Sequence, residues 1–325
     1  MANIAIVNYC NLKCKYCFAD DMICEKSMSI TMDDFRKILG FLARTPDNHI
    51  GIIGGEPTLH PDFENILKEV NKYCKECNTT ATLFTNGINL DKYLPYIGER
   101  IGTLLNLNSP DSMDPEQWRN TMDLLDHLDS LSWLEDRPDG PARLNIGVNV
   151  HPGCTDYSFA WDIVDKYHLT HLRTSVTSPG GIYYEMRKDK EAYYAKMKPI
   201  FLEHCKNAIK HRCKLNLDCN RIPVCYFNRE EMEIIDQACD RYRESFCEPV
   251  IDIKADFKVY ACFGQTDQSV DMRDFNDIHE LRRYLFANIT IPHYKANCTG
   301  KCASCKKHEL MICQGGCLSF SRRDK

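Results

Sequence analysis

Long apolar runs are missing from this 325-residue chain. None approaches the ~20 consecutive apolar residues that a transmembrane helix needs. The opening MANIAIVNYC carries neither a charged leading segment nor a small-residue cleavage site, so it does not read as a secretory signal. Excess positive charge is missing as well: a formal net charge of -5 and a pI near 6.1 leave no electrostatic footprint for nucleic acid or an anionic membrane. Gly/Ser linkers, low-complexity tracts and internal βα repeats are also absent. These absences predict a soluble cytoplasmic protein with neither nucleic-acid nor membrane partners.

With 43% hydrophobic residues, the chain can bury the core of one barrel-sized domain plus a smaller one. It holds 19 cysteines, an odd number and far above ordinary usage. In a reducing compartment that density argues for metal clusters over a disulfide framework. Apolar β-type runs at 3–9, 49–55, 80–87, 102–108, 142–150 and 169–177 alternate with helical segments at 31–45, 60–74, 115–130, 157–167 and 190–210, and Thr31 is a plausible cap. Such alternation builds parallel sheet through right-handed crossovers. The expected fold class is therefore α/β. A partial (β/α)6 TIM-type barrel spans 1–211, and a small cysteine-rich iron–sulfur domain follows over 212–325, where periodicity fades.

The first apolar run leads directly into CNLKCKYC, which places Cys10, Cys14 and Cys17 with three and then two residues between them, followed by the aromatic Phe18. Structural zinc takes four protein ligands and leaves no open position. Three thiolates on one loop suit instead a [4Fe–4S] cluster whose fourth iron stays open for a small molecule. Buried cysteine by chance is the bland alternative.

This CxxxCxxC after a first strand resembles the signature of the radical S-adenosylmethionine (SAM) superfamily. The resemblance extends to GGEP at Gly54, Gly55, Glu56 and Pro57, to TNG at 85–87, and to NLNSP at 106–110, which is similar to the family's Ser-Leu-Asp-Gly-Pro stretch with Asn106 and Asn108 in the places of Ser and Asp. All of these pieces close predicted strands, the end at which barrel active sites assemble. The resemblance implies that SAM is bound there: its amino group by the backbone of Gly54 and Gly55 and by Glu56, its ribose or carboxylate by Asn106 and Asn108. Glu56 as a helix cap and the asparagines as turn formers are the competing explanations. An Arg on the next helix holds the SAM carboxylate in relatives; here Trp118 occupies that position and Arg119 the next. Arg173 on the sixth strand is a further candidate for SAM or a substrate carboxylate, and a snorkelling charge is the alternative. The implied chemistry is reductive cleavage of SAM to a 5′-deoxyadenosyl radical that takes a hydrogen atom from a substrate.

Near the C-terminus, CEPVIDIKADFKVYAC places fourteen residues between Cys247 and Cys262, and Cys298, Cys302, Cys305, Cys313 and Cys317 crowd the last stretch. This region resembles the SPASM extension, which holds two auxiliary [4Fe–4S] clusters in peptide-modifying and sulfatase-maturating enzymes. Phe257 stands where a Gly is expected, the interval before Cys313 is longer than usual, and no cysteine follows Cys317. The resemblance implies one cluster on Cys239, Cys247, Cys262 and Cys317 and a second on Cys298, Cys302, Cys305 and Cys313; a single auxiliary cluster, or zinc, is the alternative. In DCNRIPVCYF, Cys219 or Cys225 could reach the barrel mouth as a hydrogen-atom donor or spare ligand, but core or surface cysteine is the more frequent explanation for these as for Cys205 and Cys213, and Cys24, Cys74, Cys77 and Cys154 read as ordinary cysteines.

The leading functional expectation is modification of a peptide or protein substrate, with a reducing electron donor such as flavodoxin or ferredoxin. The barrel is expected to begin at residue 3, which leaves no room for the leader-peptide-binding domain of many peptide maturases and weakens this reading, although a separate partner protein could supply that role. A radical SAM dehydrogenase or related enzyme acting on a small metabolite is the second reading, and a non-catalytic iron–sulfur electron carrier the third.

Overall fold

The computed structural model describes residues 1–17, 19, 27–47, 49–135, 142–243, 247, 250–298 and 300–322. Phe18 and Cys24 lie outside the described residues. Six strands open the fold: β1 (Ala2–Ala5), β2 (His49–Ile53), β3 (Thr80–Thr85), β4 (Ile101–Leu107), β5 (Leu144–Val150) and β6 (His171–Val176). They pair in parallel in chain order. The helices α1 (Met32–Leu42), α2 (Phe63–Glu76), α3 (Pro115–Ser130), α4 (Ser158–Lys166) and α5 (Lys190–Lys210) fall at the anticipated places. Local chemistry explains their starts. The Thr31 hydroxyl accepts from Asp34 N–H at 3.1 Å, and Asp114 and Gln117 form a capping box ahead of Pro115, satisfying N–H groups that a helix start leaves unpaired. α2 buries Phe63, Ile66, Leu67, Val70, Tyr73 and Cys74, the 3–4 spacing of one helical face.

The sheet continues past the expected boundary at 211/212. β7 (Lys214–Leu217) pairs in parallel with β6, and β8 (Ile251–Lys254) pairs in parallel with β1 on the opposite side. Antiparallel β9 (Lys258–Tyr260) and β10 (Val270–Asp271) complete what is, among the described residues, a ten-stranded sheet that does not close. The structure thus confirms a partial parallel barrel and extends it beyond six strands. β7 escaped notice because only Leu215 of its four residues is buried, and β8 because the buried Asp252 interrupts its apolar run. Among the described residues the later part also holds α6 (Arg229–Ala238), which packs against α5, then α7 (Ile278–Leu285), α8 (Ile291–Asn297) and the short α9 (Lys306–Glu309). The Phe257 that replaces the anticipated Gly sits in the β8–β9 turn with φ +66°, the left-handed conformation that explains why glycine suits this place. Among the described residues, no helix is long and apolar enough to cross a membrane.

Candidate active site

The cysteine loop follows β1 and is clamped by its neighbours. Gly55 N–H donates to the Val7 carbonyl at 3.0 Å and Glu56 N–H to the Tyr9 carbonyl at 2.9 Å. A Cβ on Gly55 would lie 2.1 Å from the Tyr9 oxygen, and one on Gly54 2.6 Å from the Val7 oxygen. Close approach of two backbones therefore requires both glycines. Gly54 and Gly55 also border a narrow slit with Val7, Asn8 and Phe263. Glu56 is buried, and four donors surround its carboxylate: Thr58 N–H (3.1 Å), Thr58 Oγ1 (2.7 Å), Thr85 Oγ1 (2.7 Å) and Asn86 N–H (2.8 Å). It thereby caps the 3-10 turn Pro57–Leu59 and ties the β2 end to the β3 end. Burial raises its pKa against these hydrogen bonds.

Tyr16, between two of the cysteines, anchors the loop to the mouth. Its hydroxyl donates to Asn108 Oδ1 at 2.5 Å and accepts from Asn149 Nδ2 at 3.4 Å. Its pKa rises through burial and the adjoining Cys14 and Cys17 thiols. The Cys14 thiol also faces Asn108 Oδ1 at 3.5 Å. Leu12 N–H points at Cys10 Sγ (3.4 Å), and Asn86 Nδ2 approaches the same sulfur at 3.9 Å. Burial pushes both the Cys10 and Cys14 thiols up, with Glu56 adding to the first and Cys10 to the second. Three soft donors on one loop, with N–H groups directed at the Cys10 sulfur, fit an iron–sulfur cluster, whose thiolates take such hydrogen bonds.

Deeper in the mouth, Arg173 from β6 donates to Asn106 Oδ1 and Asn149 Oδ1, each at 3.3 Å, and forms an ion pair with Asp218 after β7. Burial alone would raise the Asp218 carboxyl, but the Arg173 charge and hydrogen bond hold it below the usual range. Arg119 is exposed on α3, whereas Trp118 turns to Phe159 at 6.0 Å between ring centroids. Tyr16, Asn149 and Asp218 are mouth residues that sequence reasoning did not single out, while Asn86 lies in the TNG stretch noted above. The position of Tyr16 between two cysteines was the available signal.

The later cysteines form two neighbourhoods. Asp218 first and then burial push the Cys219 thiol well up, with further contributions from Cys262 and Cys247. Burial, Asp252, Cys247 and Cys317 do the same for Cys262. One hydroxyl fastens this set: Tyr194 of α5 donates to Asn220 Oδ1 at 2.9 Å and accepts Cys317 N–H at 2.8 Å, joining the loop after β7 to the C-terminal loop. Cys247 N–H donates to Gln314 Oε1 at 3.1 Å. The expected partner Cys239 lies elsewhere: it ends α6, bridges to Leu215 of β7 and is buried beside Cys205. Cys219, in the turn after β7, instead stands near Cys247 and Cys262, while the end of α6 faces α5.

In the second neighbourhood, burial and then Cys302 and Cys313 push Cys298 up to about 11, and Cys298, Cys313 and Cys305 all act on Tyr294. Gly315, at φ +74°, leaves room where a Cβ would stand 3.3 Å from Cys298 Sγ and 3.4 Å from Cys302 Sγ. Gly315 N–H points at Cys313 Sγ (3.4 Å) and Gly264 N–H at Cys262 Sγ (3.3 Å), repeating the N–H to sulfur pattern of Cys10. Among the described residues, no three ligating side chains converge on a single ion. Cluster corners spread their sulfurs more widely than a lone zinc with ~2.3 Å bonds does.

Residues 4–128 match the Radical SAM superfamily. GTP 3′,8-cyclase of Synechocystis sp. is 32% identical over 114 residues, covering 34% of this chain and 33% of that protein. GTP 3′,8-cyclase of Chlorobaculum tepidum is 28% identical over 146 residues, 45% of this chain and 43% of that protein. The chain thus spans less than half the length of these curated relatives. Among solved structures, Streptococcus suis SuiB bound to S-adenosylmethionine aligns with 99% of this chain and 76% of its own at a TM-score of 0.64 and 18% identity. Native anSMEcpe with bound AdoMet and Kp18Cys peptide aligns with 100% of this chain and 91% of its own, also at 0.64, with 17% identity. At these identities the likeness is one of fold.

Proposed function

We propose that this chain, a member of the Radical SAM superfamily through residues 4–128, modifies a peptide or protein substrate. The observation that carries the reading is the extent of the fold likeness. SuiB bound to its precursor peptide SuiA aligns with 98% of this chain, cysteine-rich C-terminal part included, whereas the cyclase of Synechocystis sp. matches only 34%. Cys10, Cys14 and Cys17 would hold the SAM cluster. Cys219, Cys247, Cys262 and Cys317 would hold one auxiliary cluster of the SPASM type, and Cys298, Cys302, Cys305 and Cys313 the other. What a cluster at the first site supplies when bound is one electron to the sulfonium of SAM, and with it the 5′-deoxyadenosyl radical. The chain's own residues do the rest. Gly54 and Gly55 bring exposed backbone to the ligand, Asn106 and Asn108 offer hydrogen bonds, and the Arg173–Asp218 pair orders the floor of the mouth. A flavodoxin or ferredoxin serves as the external reductant.

Reconstituted protein should carry about twelve irons, from three four-iron clusters. Incubation with SAM and dithionite should yield 5′-deoxyadenosine, and replacing Cys10, Cys14 and Cys17 together with Ala should abolish it while the other irons stay. Persistent SAM cleavage in that variant would sink the reading. The names of the curated relatives favour a second one, a small-metabolite substrate. Turnover of GTP with no peptide present would establish it in place of the first.

A further inference from the structure

The interval between Cys305 and Cys313, longer than the SPASM resemblance leads one to expect, folds into a compact projection. α9 fills its first half, and the N–H groups of Leu310, Met311 and Ile312 donate back to the carbonyls of Lys306 (3.0 Å), His308 (2.9 Å) and Lys307 (2.8 Å). From beneath, the Tyr294 hydroxyl of α8 donates to the His308 carbonyl at 2.7 Å, and the two rings stand 4.8 Å apart. The backbone is satisfied from within, so the projection is a set shape. At its tip Leu310, Met311 and Ile312 are 58%, 46% and 46% exposed. Among the described residues, no other three consecutive large apolar side chains are so exposed. Single exposed apolar residues are ordinary, whereas contiguous ones mark an interaction site. Met311 also holds φ +55°, a left-handed conformation that Gly or Asn adopts with less strain. Beside the tip, Lys306 and Lys307 are exposed, and no described carboxylate pairs with either. Residues 295–325 hold seven lysines and arginines against two acidic residues, in a chain whose net charge is -5. The positive charge is local to this end.

We propose that this projection is the docking surface for a small, acidic one-electron carrier protein, the class to which the external reductant belongs. The proposal rests on the reading above for the need of such a carrier. Three apolar side chains on a set turn give a partner contact area with little ordering cost, and the thioether of Met311 adapts to the shape it meets. The lysines choose the sign of that partner and speed its approach. Position chooses its kind. Met311 is two residues from Cys313, so their Cα atoms are at most ~7 Å apart, and a protein seated on the tip comes within about a side chain's depth of the second thiol neighbourhood. A carrier of electrons has a use for that nearness. A lipid surface or a second copy of this chain gains nothing from it.

The test is binding of oxidised flavodoxin and of an acidic ferredoxin to the reconstituted protein by titration calorimetry, with no SAM present. At least one of the two should bind, and tenfold more salt should weaken it. Reversing two charges with Lys306→Glu and Lys307→Glu together should weaken it by about tenfold or more. Met311→Gly removes an apolar side chain where glycine suits the backbone, and should weaken binding by about threefold or more. Iron content checks that each variant is loaded, and Met311→Gly decides if the charge-reversed protein loses iron. With the reduced carrier as the electron source, both variants should raise its KM. With dithionite, a small reductant that needs no docking, they should form 5′-deoxyadenosine at the wild-type rate. Failure of the wild-type protein to cleave SAM with dithionite would remove the catalytic reading itself, whereas the binding measurement judges the docking surface alone. Absence of binding by both carriers, or wild-type affinity in both variants, would overturn the assignment. So would binding to phosphatidylglycerol vesicles, or self-association in sedimentation, that Met311→Gly abolishes while carrier affinity stays.

Discussion

Replacing Gly55 with Ala would put a methyl carbon 2.1 Å from the Tyr9 oxygen, 2.3 Å from the Tyr9 carbonyl carbon and 2.9 Å from Cys10 N. Ordinary contact begins near 3.4 Å, so the cysteine loop and the β2 end must part by more than an ångström. Nothing flexible can yield, because every atom met is backbone. The separation stretches or breaks the Gly55 to Val7 and Glu56 to Tyr9 hydrogen bonds, at ~1 kcal/mol each, and adds overpacking strain of ~1–3 kcal/mol. The expected loss is about 3–5 kcal/mol, a large share of the ~5–15 kcal/mol that holds a typical domain folded. Cys10 moves with the strand end, so iron at the first site should fall too. Gly40, in α1, meets nothing within 4 Å, and Gly40→Ala should stabilise by ~0.5–1 kcal/mol through helix propensity. Anaerobic urea titration and iron analysis of both variants provide the assay. A Gly55→Ala protein with wild-type midpoint and iron content, or a Gly40→Ala protein as damaged as Gly55→Ala, would refute the argument.

Three further outcomes are expected. Burial beside Trp161 lowers the pKa of His204 to about 3, below the ~6.5 of an unfolded histidine. Its contribution is therefore complete above pH 6.5 and lost as pH falls, by about 2 kcal/mol at pH 5. Urea midpoints at pH 8 and pH 5 should show His204→Phe losing less than wild type, and equal losses would contradict it. Arg282 donates to both carboxylate oxygens of Asp47, which is 9% exposed. Arg282→Ala should cost about 2 kcal/mol, since it removes a two-point charge-assisted hydrogen bond from a largely buried carboxylate that keeps the Met1 ammonium at 3.3 Å, and the loss should shrink in an Asp47→Asn background; strictly additive losses would count against it. Cys219→Ser should lower iron by about four per chain while Cys239→Ser leaves it unchanged, and the reverse pattern would restore Cys239 as the ligand.

Residues whose surroundings are set locally were readable in advance. Thr31 caps α1 because the three residues that follow it suffice, and the six leading strands follow from their own apolar runs. Residues whose role depends on distant chain were not. Cys219 and Cys239 are both cysteines of the later region, and nothing in their spacing says which stands near Cys247 and Cys262; that is decided by where β7 ends and by the Tyr194 hydroxyl reaching loops at Asn220 and Cys317. Glu56 was readable both as a ligand for an ammonium group and as a cap, but its hold on the end of β3, through Thr85 and Asn86, becomes evident only when the ends of β2 and β3 stand side by side. β8 was hidden by Asp252, whose neighbours Asn3 and Phe263 come from opposite ends of the chain.

The pairing of β1 with β8 also sets a timetable for synthesis. Ala2 lies beside Ile251, so the outer edge of the first strand stays unpaired until nearly the whole barrel has left the ribosome. At ~5–20 residues per second that wait lasts ~12–50 s, long enough for an open β-edge to find another chain. The cysteine loop that follows β1 shares the same exposed interval. Nascent protein held by chaperones, or supplied early with iron and sulfide, should therefore reach the soluble form in higher yield than protein made in haste, because occupancy of the loop and closure of the edge compete with aggregation during the same seconds.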